Sequence, residues 1–246
     1  MWKQLFSTAR QRPAQVPEGI RIYAIGDIHG RADLLDRVLS RIDVDLITRP
    51  IARAIHVFLG DYIDRGPCSK EVLDQLVQRA RNFELVCLMG NHEAFLLNFL
   101  DNPSVLTEWR QYGGLETLMS YGLSPSMNPD ALAQSQLAAE LDRVLPPDHR
   151  EFLGRLQLSF SCGDFFFAHA GIRPRVPLLR QQEKDLLWIR EEFLLSEEDY
   201  GKIVVHGHTP VKQPEVRPNR INIDTGAYAT GRLTCLQLER DKMRFV

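Results

Sequence analysis

Between Ile20 and Leu100 the chain alternates two kinds of apolar pattern. Short β-branched and aromatic runs, IRIYAIGD (20–27), AIHVFLGD (54–61) and FELVCLMGN (83–91), each predict a strand that stops at Gly-Asp or Gly-Asn. Between and after them, RADLLDRVLSRI (31–42), SKEVLDQLVQRARN (69–82) and HEAFLLNFL (92–100) return apolar residues every three or four positions, which predicts helices. Ser69 is placed to cap the second. Strands and helices alternating at this length indicate βαβ units and parallel strands.

The pattern changes at about residue 101. Residues 101–158 read as mostly helical, broken by Gly113-Gly114, Gly122 and the prolines at 103, 125, 129, 146 and 147, and are expected to form a helical insertion or cap. Strands resume with DFFFAHAG (164–171), KIVVHGHT (202–209), RINIDTG (220–226) and LTCLQLER (233–240). Their close, turn-linked spacing predicts a second sheet, mixed or antiparallel. Residues 1–19, closed by Pro17 and Gly19, read as a frayed basic arm ahead of a single α/β domain over 20–246.

Composition narrows the class without choosing the chemistry. The 246 residues carry 44% hydrophobic and 25% charged side chains, which excludes collagen, low-complexity polymers and whole-chain disorder. Thirty basic against 32 acidic residues leave a net charge of −2, so no bulk attraction for nucleic acid or an anionic membrane is expected. The four cysteines, Cys68, Cys87, Cys162 and Cys235, form no C-x-x-C pair, and a reduced cytoplasmic setting is expected. The N-terminal stretch lacks the apolar segment of a secretory signal, and no run is long enough to span a membrane.

The positions of the rare residues are informative. Five of the seven histidines, His29, His92, His169, His206 and His208, stand at or just past predicted strand ends, each with a glycine nearby. Asp27, Asp61 and Asn91 occupy the same kind of position. Ligands of α/β folds bind beyond the carboxyl ends of strands, and glycine lets backbone approach closely there. An Asp, His and Asn set without cysteine suits Mn, Fe or Zn. Asp27, His29, Asp61, Asn91, His169 and His208 are too many for one open site, so two ions sharing a carboxylate are expected. The ions would outweigh the two carboxylates and keep the pocket electropositive, as a phosphate dianion requires. Arg65 would add a bidentate clamp.

These residues fall in GDIHG (26–30), GDYIDRG (60–66), GNHE (90–93), HAG (169–171) and GHTP (207–210). In this order and spacing, the blocks resemble the signature of the calcineurin-like metallophosphoesterases. More narrowly they resemble PPP-type serine/threonine protein phosphatases of the short bacterial and bacteriophage kind. The resemblance implies an α/β fold of two mixed β-sheets sandwiched with helices outside. It implies that Asp27 and His29 hold one metal, that Asp61 bridges, and that Asn91, His169 and His208 complete the second. Arg65 would bind phosphate oxygens, and His92, oriented by Asp64, would be the general acid. DLLWIRE (185–191) is similar to the segment carrying a second phosphate-binding arginine, which implies Arg190, with Arg173 as the alternative.

The implied activity is hydrolysis of phosphomonoesters by hydroxide generated between two divalent ions, manganese first among them and iron or zinc next. GNHE and the full GDYIDRG favour phosphoserine or phosphothreonine in proteins as substrate; a symmetrical dinucleoside tetraphosphate hydrolase, sharing the metal set and the IDTGA-type tail, is the alternative. His206, two positions before His208, is expected to support that ligand or to touch substrate. Asp224 is expected to hold a turn near the site, His56 and His149 to be structural, and Trp109 and Gly113-Gly114 to be packing and a helix break.

Overall fold

A computed structural model of the protein describes residues 12–246. The first eleven residues of the expected arm lie outside the described residues. The remainder of that arm is pinned rather than frayed. Val16 is buried and donates its N–H to the Arg240 carbonyl, while the Gln15 N–H reaches Asp164.

Two five-stranded mixed sheets lie face to face. In the first, β1 (Ile20–Ile25), β2 (Arg53–Phe58) and β3 (Glu84–Cys87) run parallel, linked by α1 (Ala32–Thr48) and α2 (Ser69–Ala80). Alternation along β1 shows why both faces are covered. Ile22 and Ala24 point into the core between the sheets, Tyr23 and Ile25 into a second core under the helices. After β3 comes α3 (Asn91–Asp101), whose capping box is closed by Glu93 onto the Gly90 N–H.

The stretch 101–158 forms α4 (Leu106–Trp109), α5 (Gly114–Ser120), α6 (Ala131–Val144) and α7 (Pro147–Gly154), with short 3₁₀ turns. Leu106, Trp109, Leu118, Leu141 and Leu153 join the same core as α1 to α3, so these helices extend the main core. His149 ties them to α2. Its Nε2 lies 3.0 Å from Asp74 and its Nδ1 2.8 Å from the Tyr121 hydroxyl.

The second sheet runs β4 (Ser159–Cys162), β5 (Phe165–Ala168), β6 (Ile203–His206), β8 (Arg220–Asn222), with β7 (Glu215–Val216) at its edge. β5, β6 and β8 are parallel. α8 (Glu183–Trp188) and α9 (Glu191–Leu194) cover its outer face through Leu186 and Phe193. α10 (Ala227–Thr230) follows β8.

Two sequence expectations need correction. The run LTCLQLER forms β9 (Cys235–Glu239), which joins the first sheet, antiparallel to β1, with β10 (Lys242–Phe245) outside it. Its polar positions explain the placement. Gln237 donates to Asp45 of α1, and Glu239 accepts from Arg21 of β1. β4 was missed because its alternation, within LQLSFSC, follows directly on the helical stretch.

Candidate metal centre

The six parallel strands β1, β2, β3, β5, β6 and β8 deliver Asp27, Asp61, Asn91, His169, His208 and Asp224 to one buried place. Tight turns make the delivery. His29, Asp61, Asp64, Arg65 and His208 all have positive φ, between 47° and 71°. Such backbone is unfavourable for residues with a Cβ and persists where surrounding contacts over-determine it. Gly207 makes room in a different way, because a Cβ there would sit 2.0 Å from Asp27 Oδ1.

Asp61 lies between two groups of donors. Its Oδ2 is 3.5 Å from His29 Nε2 and 3.7 Å from His92 Nε2, while its Oδ1 is 3.4 Å from His169 Nε2. On the Oδ1 side, His169 Nε2 lies 3.0 Å from Asn91 Oδ1 and 3.2 Å from His208 Nδ1. Donor atoms of His29, Asp61 and His92, and separately of Asp61, His169 and His208, all fall within 4.8 Å of one another. Asp27 reaches the same centre. Its Oδ2 accepts from the His208 N–H, and its buried Oδ1 has no partner.

The protonation states suit cations. His29 Nδ1 faces the Ile63 carbonyl and His169 Nδ1 the Leu59 carbonyl, each at 2.9 Å, so each Nδ1–H donates outward and each Nε2 lone pair points inward. Burial pushes His29 down to about 3 and His208 down to about 2, and lowers His169. These imidazoles are therefore neutral, the form that ligates a metal. Burial, reinforced by repulsion from Asp224 and Asp61, raises Asp27 well above the usual carboxylate range. A partnerless buried carboxylate oxygen on Asp27, together with inward lone pairs on His29 and His169, supplies donors that positive charge would satisfy. The residues fit divalent ions.

Beside this centre, His92 Nδ1 is 2.6 Å from Asp64 Oδ2, and Arg65 Nη2 lies 3.3 Å from His92 Nε2. Burial disfavours a charged His92, but Asp61 and the Asp64 hydrogen bond outweigh it and raise its pKa. Arg190 donates from Nε to His208 Nε2 at 3.2 Å. Arg173 instead makes ion pairs with Asp185 and Glu192, which occupy its guanidinium away from these groups. Asp224 accepts from the Gly226 N–H at 2.8 Å, holding the turn after β8.

A calcineurin-like phosphoesterase model matches residues 20–241. The chain belongs to that family. Among curated relatives, it is 28% identical over 232 residues to bis(5'-nucleosyl)-tetraphosphatase PrpE [asymmetrical] of Anoxybacillus flavithermus, covering 87% of this chain and 88% of that protein. It is 30% identical over 234 residues to the Bacillus cereus protein of the same name, again covering 87% and 88%. The fold is shared with the cold-active protein-tyrosine phosphatase of a Shewanella species, at TM-score 0.61 and 17% identity over 94% of this chain and 80% of that one. It is also shared with a Saccharomyces cerevisiae serine/threonine phosphatase, at TM-score 0.51 and 15% identity over 93% and 84%. As a calcineurin-like phosphoesterase, the chain is a hydrolase of phosphoesters whose family implies divalent metals.

His206 does not join the metal groups. β6 ends at His206 and the chain turns before His208, so the two-residue rule of a strand stops applying. His206 packs against Phe193 on the outer face, with ring centroids 5.0 Å apart. His56 is likewise structural, stacked on Phe83. Two contributors were not read from the sequence. The carboxylate of Glu93 accepts from the N–H groups of Gly90, Asp61, Tyr62 and Ile63, at 2.8–3.3 Å, and clamps the loops after β2 and β3 together. Trp109, fully buried, donates its indole N–H to Asp64 at 2.6 Å, and Thr117 binds the other oxygen of that carboxylate. The signal for Glu93 was its place in GNHE; for Trp109 the linear sequence offered none, because it lies 45 residues from Asp64.

Proposed function

We propose that this chain hydrolyses dinucleoside tetraphosphates asymmetrically, releasing a nucleoside triphosphate and a nucleoside monophosphate. The observation that carries the phosphoester chemistry is Asp61, whose two oxygens face separate groups of histidines. Asp27 and His29 with Asp61 would hold one ion, and Asn91, His169 and His208 with Asp61 the other. Ions bound there supply charge to draw phosphoryl oxygens and lower the pKa of water. Choice of substrate class rests on the names of the curated relatives, which span nearly all of this chain. They shift the weight from a phosphoprotein substrate to a nucleotide and, within nucleotides, from symmetrical to asymmetrical cleavage.

The protein's own groups have distinct tasks. Arg65 and Arg190 flank the centre and would hold non-bridging phosphate oxygens by charge-assisted hydrogen bonds. Hydrolysis breaks one P–O bond of the anhydride; the water oxygen ends on phosphorus and one proton goes to the departing phosphate. His92 Nε2 would deliver that proton, held in place by Asp64 on Nδ1. Asp64 cannot drift, since Trp109 and Thr117 hold both its oxygens.

Chromatography of products from diadenosine tetraphosphate, against a phosphoserine peptide, tests this reading. Equal amounts of ATP and AMP, with slower turnover of the peptide, are expected. Two ADP per substrate would restore symmetrical cleavage, and preference for the peptide would restore the phosphoprotein substrate.

A further inference from the structure

Ten large hydrophobic side chains among the described residues are exposed, and only three of them are aromatic: Tyr112, Trp188 and Tyr228. All three ring the metal centre. Tyr228 lies 5.4 Å from His29, Tyr112 6.3 Å from His92 and Trp188 6.3 Å from His208, measured between ring centroids. The seven aliphatic and methionine side chains need no explanation of this kind, because single exposed apolar residues are ordinary. Tryptophan is usually well covered, yet Trp188 leaves 40% of its surface in solvent.

Two of the three rings share one support. Phe95 stacks on Tyr112 at 5.5 Å and 24°, and meets Trp188 at 5.5 Å and 90°. Together they make an aromatic ledge running from beside His92 to beside His208. Tyr228 stands apart and is already engaged, with the Arg65 guanidinium 4.8 Å from its ring centroid. Trp188 also lies two residues before Arg190, so one short segment delivers a flat ring and a guanidinium to the same rim. That pairing suits a ligand in which a planar group is attached close to phosphates.

We propose that Trp188, supported by Phe95 and Tyr112, is a stacking platform for one nucleobase of the substrate. This rests on the nucleotide reading above and adds to it the place where a base is held. Because every base offers a π-face, the platform grips without reading hydrogen bonds. It therefore tolerates adenine and guanine alike.

Two measurements test the ledge. With metal-loaded protein, kcat/KM is compared for diadenosine tetraphosphate and inorganic tripolyphosphate in wild type, Trp188→Leu and Trp188→Phe. Loss of one base–aromatic stack weakens binding roughly 5- to 150-fold. Trp188→Leu should lower the nucleotide-to-tripolyphosphate ratio by that factor, chiefly through KM, and Trp188→Phe should recover most of it. An equal loss with both substrates would overturn the platform.

The second readout is tryptophan fluorescence, with Trp2 replaced by Phe in every protein compared, the wild type included, since of the two remaining tryptophans Trp109 is fully buried while Trp188 is exposed. AMP should quench the wild type, inorganic phosphate should not, and Trp188→Phe should abolish the quench. Absence of quenching by AMP would overturn the ledge whatever the substrate proves to be. Quenching by AMP in a protein that leaves diadenosine tetraphosphate intact would instead keep the ledge and reject the nucleotide hydrolase reading.

Discussion

His92 Nδ1 and Asp64 Oδ2 lie 2.6 Å apart, and the same carboxylate oxygen accepts the indole N–H of Trp109, also at 2.6 Å. The candidate acid is thus oriented by a carboxylate that is itself fixed from the helical stretch 101–158. Gly113 brings that stretch against Arg65 as well. Its carbonyl accepts the Arg65 N–H at 3.3 Å, and a Cβ at Gly113 would sit 2.4 Å from the Arg65 nitrogen. The stretch expected to be a helical insertion or cap thus reaches both Asp64 and Arg65.

Trp109→Phe tests that link. It keeps most of the packing and deletes one donor to a buried carboxylate, so stability should fall by about 1–3 kcal/mol in urea melts. As a positioning change it should also lower kcat by roughly tenfold and move the alkaline limb of the pH–rate profile. A stability loss with an unmoved profile would confine Trp109 to packing.

His92→Asn should retain the metals and slow alkyl phosphates by about 10²–10⁴-fold. Aryl phosphates should lose less, because phenolate departs without a proton. Steady-state rates for the two leaving groups decide this, and equal losses would remove the acid role.

Glu93→Gln replaces a carboxylate that accepts four backbone N–H groups with an amide whose NH₂ must face some of them. A drop of about 2–3 kcal/mol in unfolding free energy is expected. Metal affinity should fall with it, because the clamp holds the loops bearing Asp61 and Asn91. Unchanged stability would show that water or a shifted loop replaces the clamp.

His56 gives a pH dependence away from the centre. Burial, aided by Arg79, pushes it down to about 4 from an unfolded value near 6.5. The unfolded chain therefore binds the extra proton first, and stability falls as pH drops from 6.5 to 4, by about 3 kcal/mol from this group. His56→Phe should flatten that part of the stability profile measured by denaturant titration. An unaltered slope would assign the acid sensitivity elsewhere.

The convergence of Asp27, His29, Asp61, Asn91, His169 and His208 was legible because each lies at a strand end beside glycine, where local sequence and fold say the same thing. The placement of the arginines was partly legible: DLLWIRE pointed to Arg190, which lies beside His208, while the ion pairs of Arg173 with Asp185 and Glu192 depend on contacts the linear sequence does not show. What stayed hidden depends on distant pairing. β9 reads like any alternating strand, and its choice of β1 over the second sheet is fixed by Arg21 and Asp45, about 190 to 220 positions earlier in the chain. The GHTP block separated His208 from His206, but the expectation that His206 supports that ligand or touches substrate missed its turn to the outer face, because nothing in the sequence shows where β6 ends and the left-handed turn at His208 begins.

A pair of divalent ions is expected to share Asp61. Titration of chelator-stripped protein with manganese, followed by calorimetry and elemental analysis, tests it directly. Two ions per chain are expected, with Asp61→Asn losing affinity for both. A single ion per chain, or two ions bound as tightly after Asp61→Asn, would contradict it.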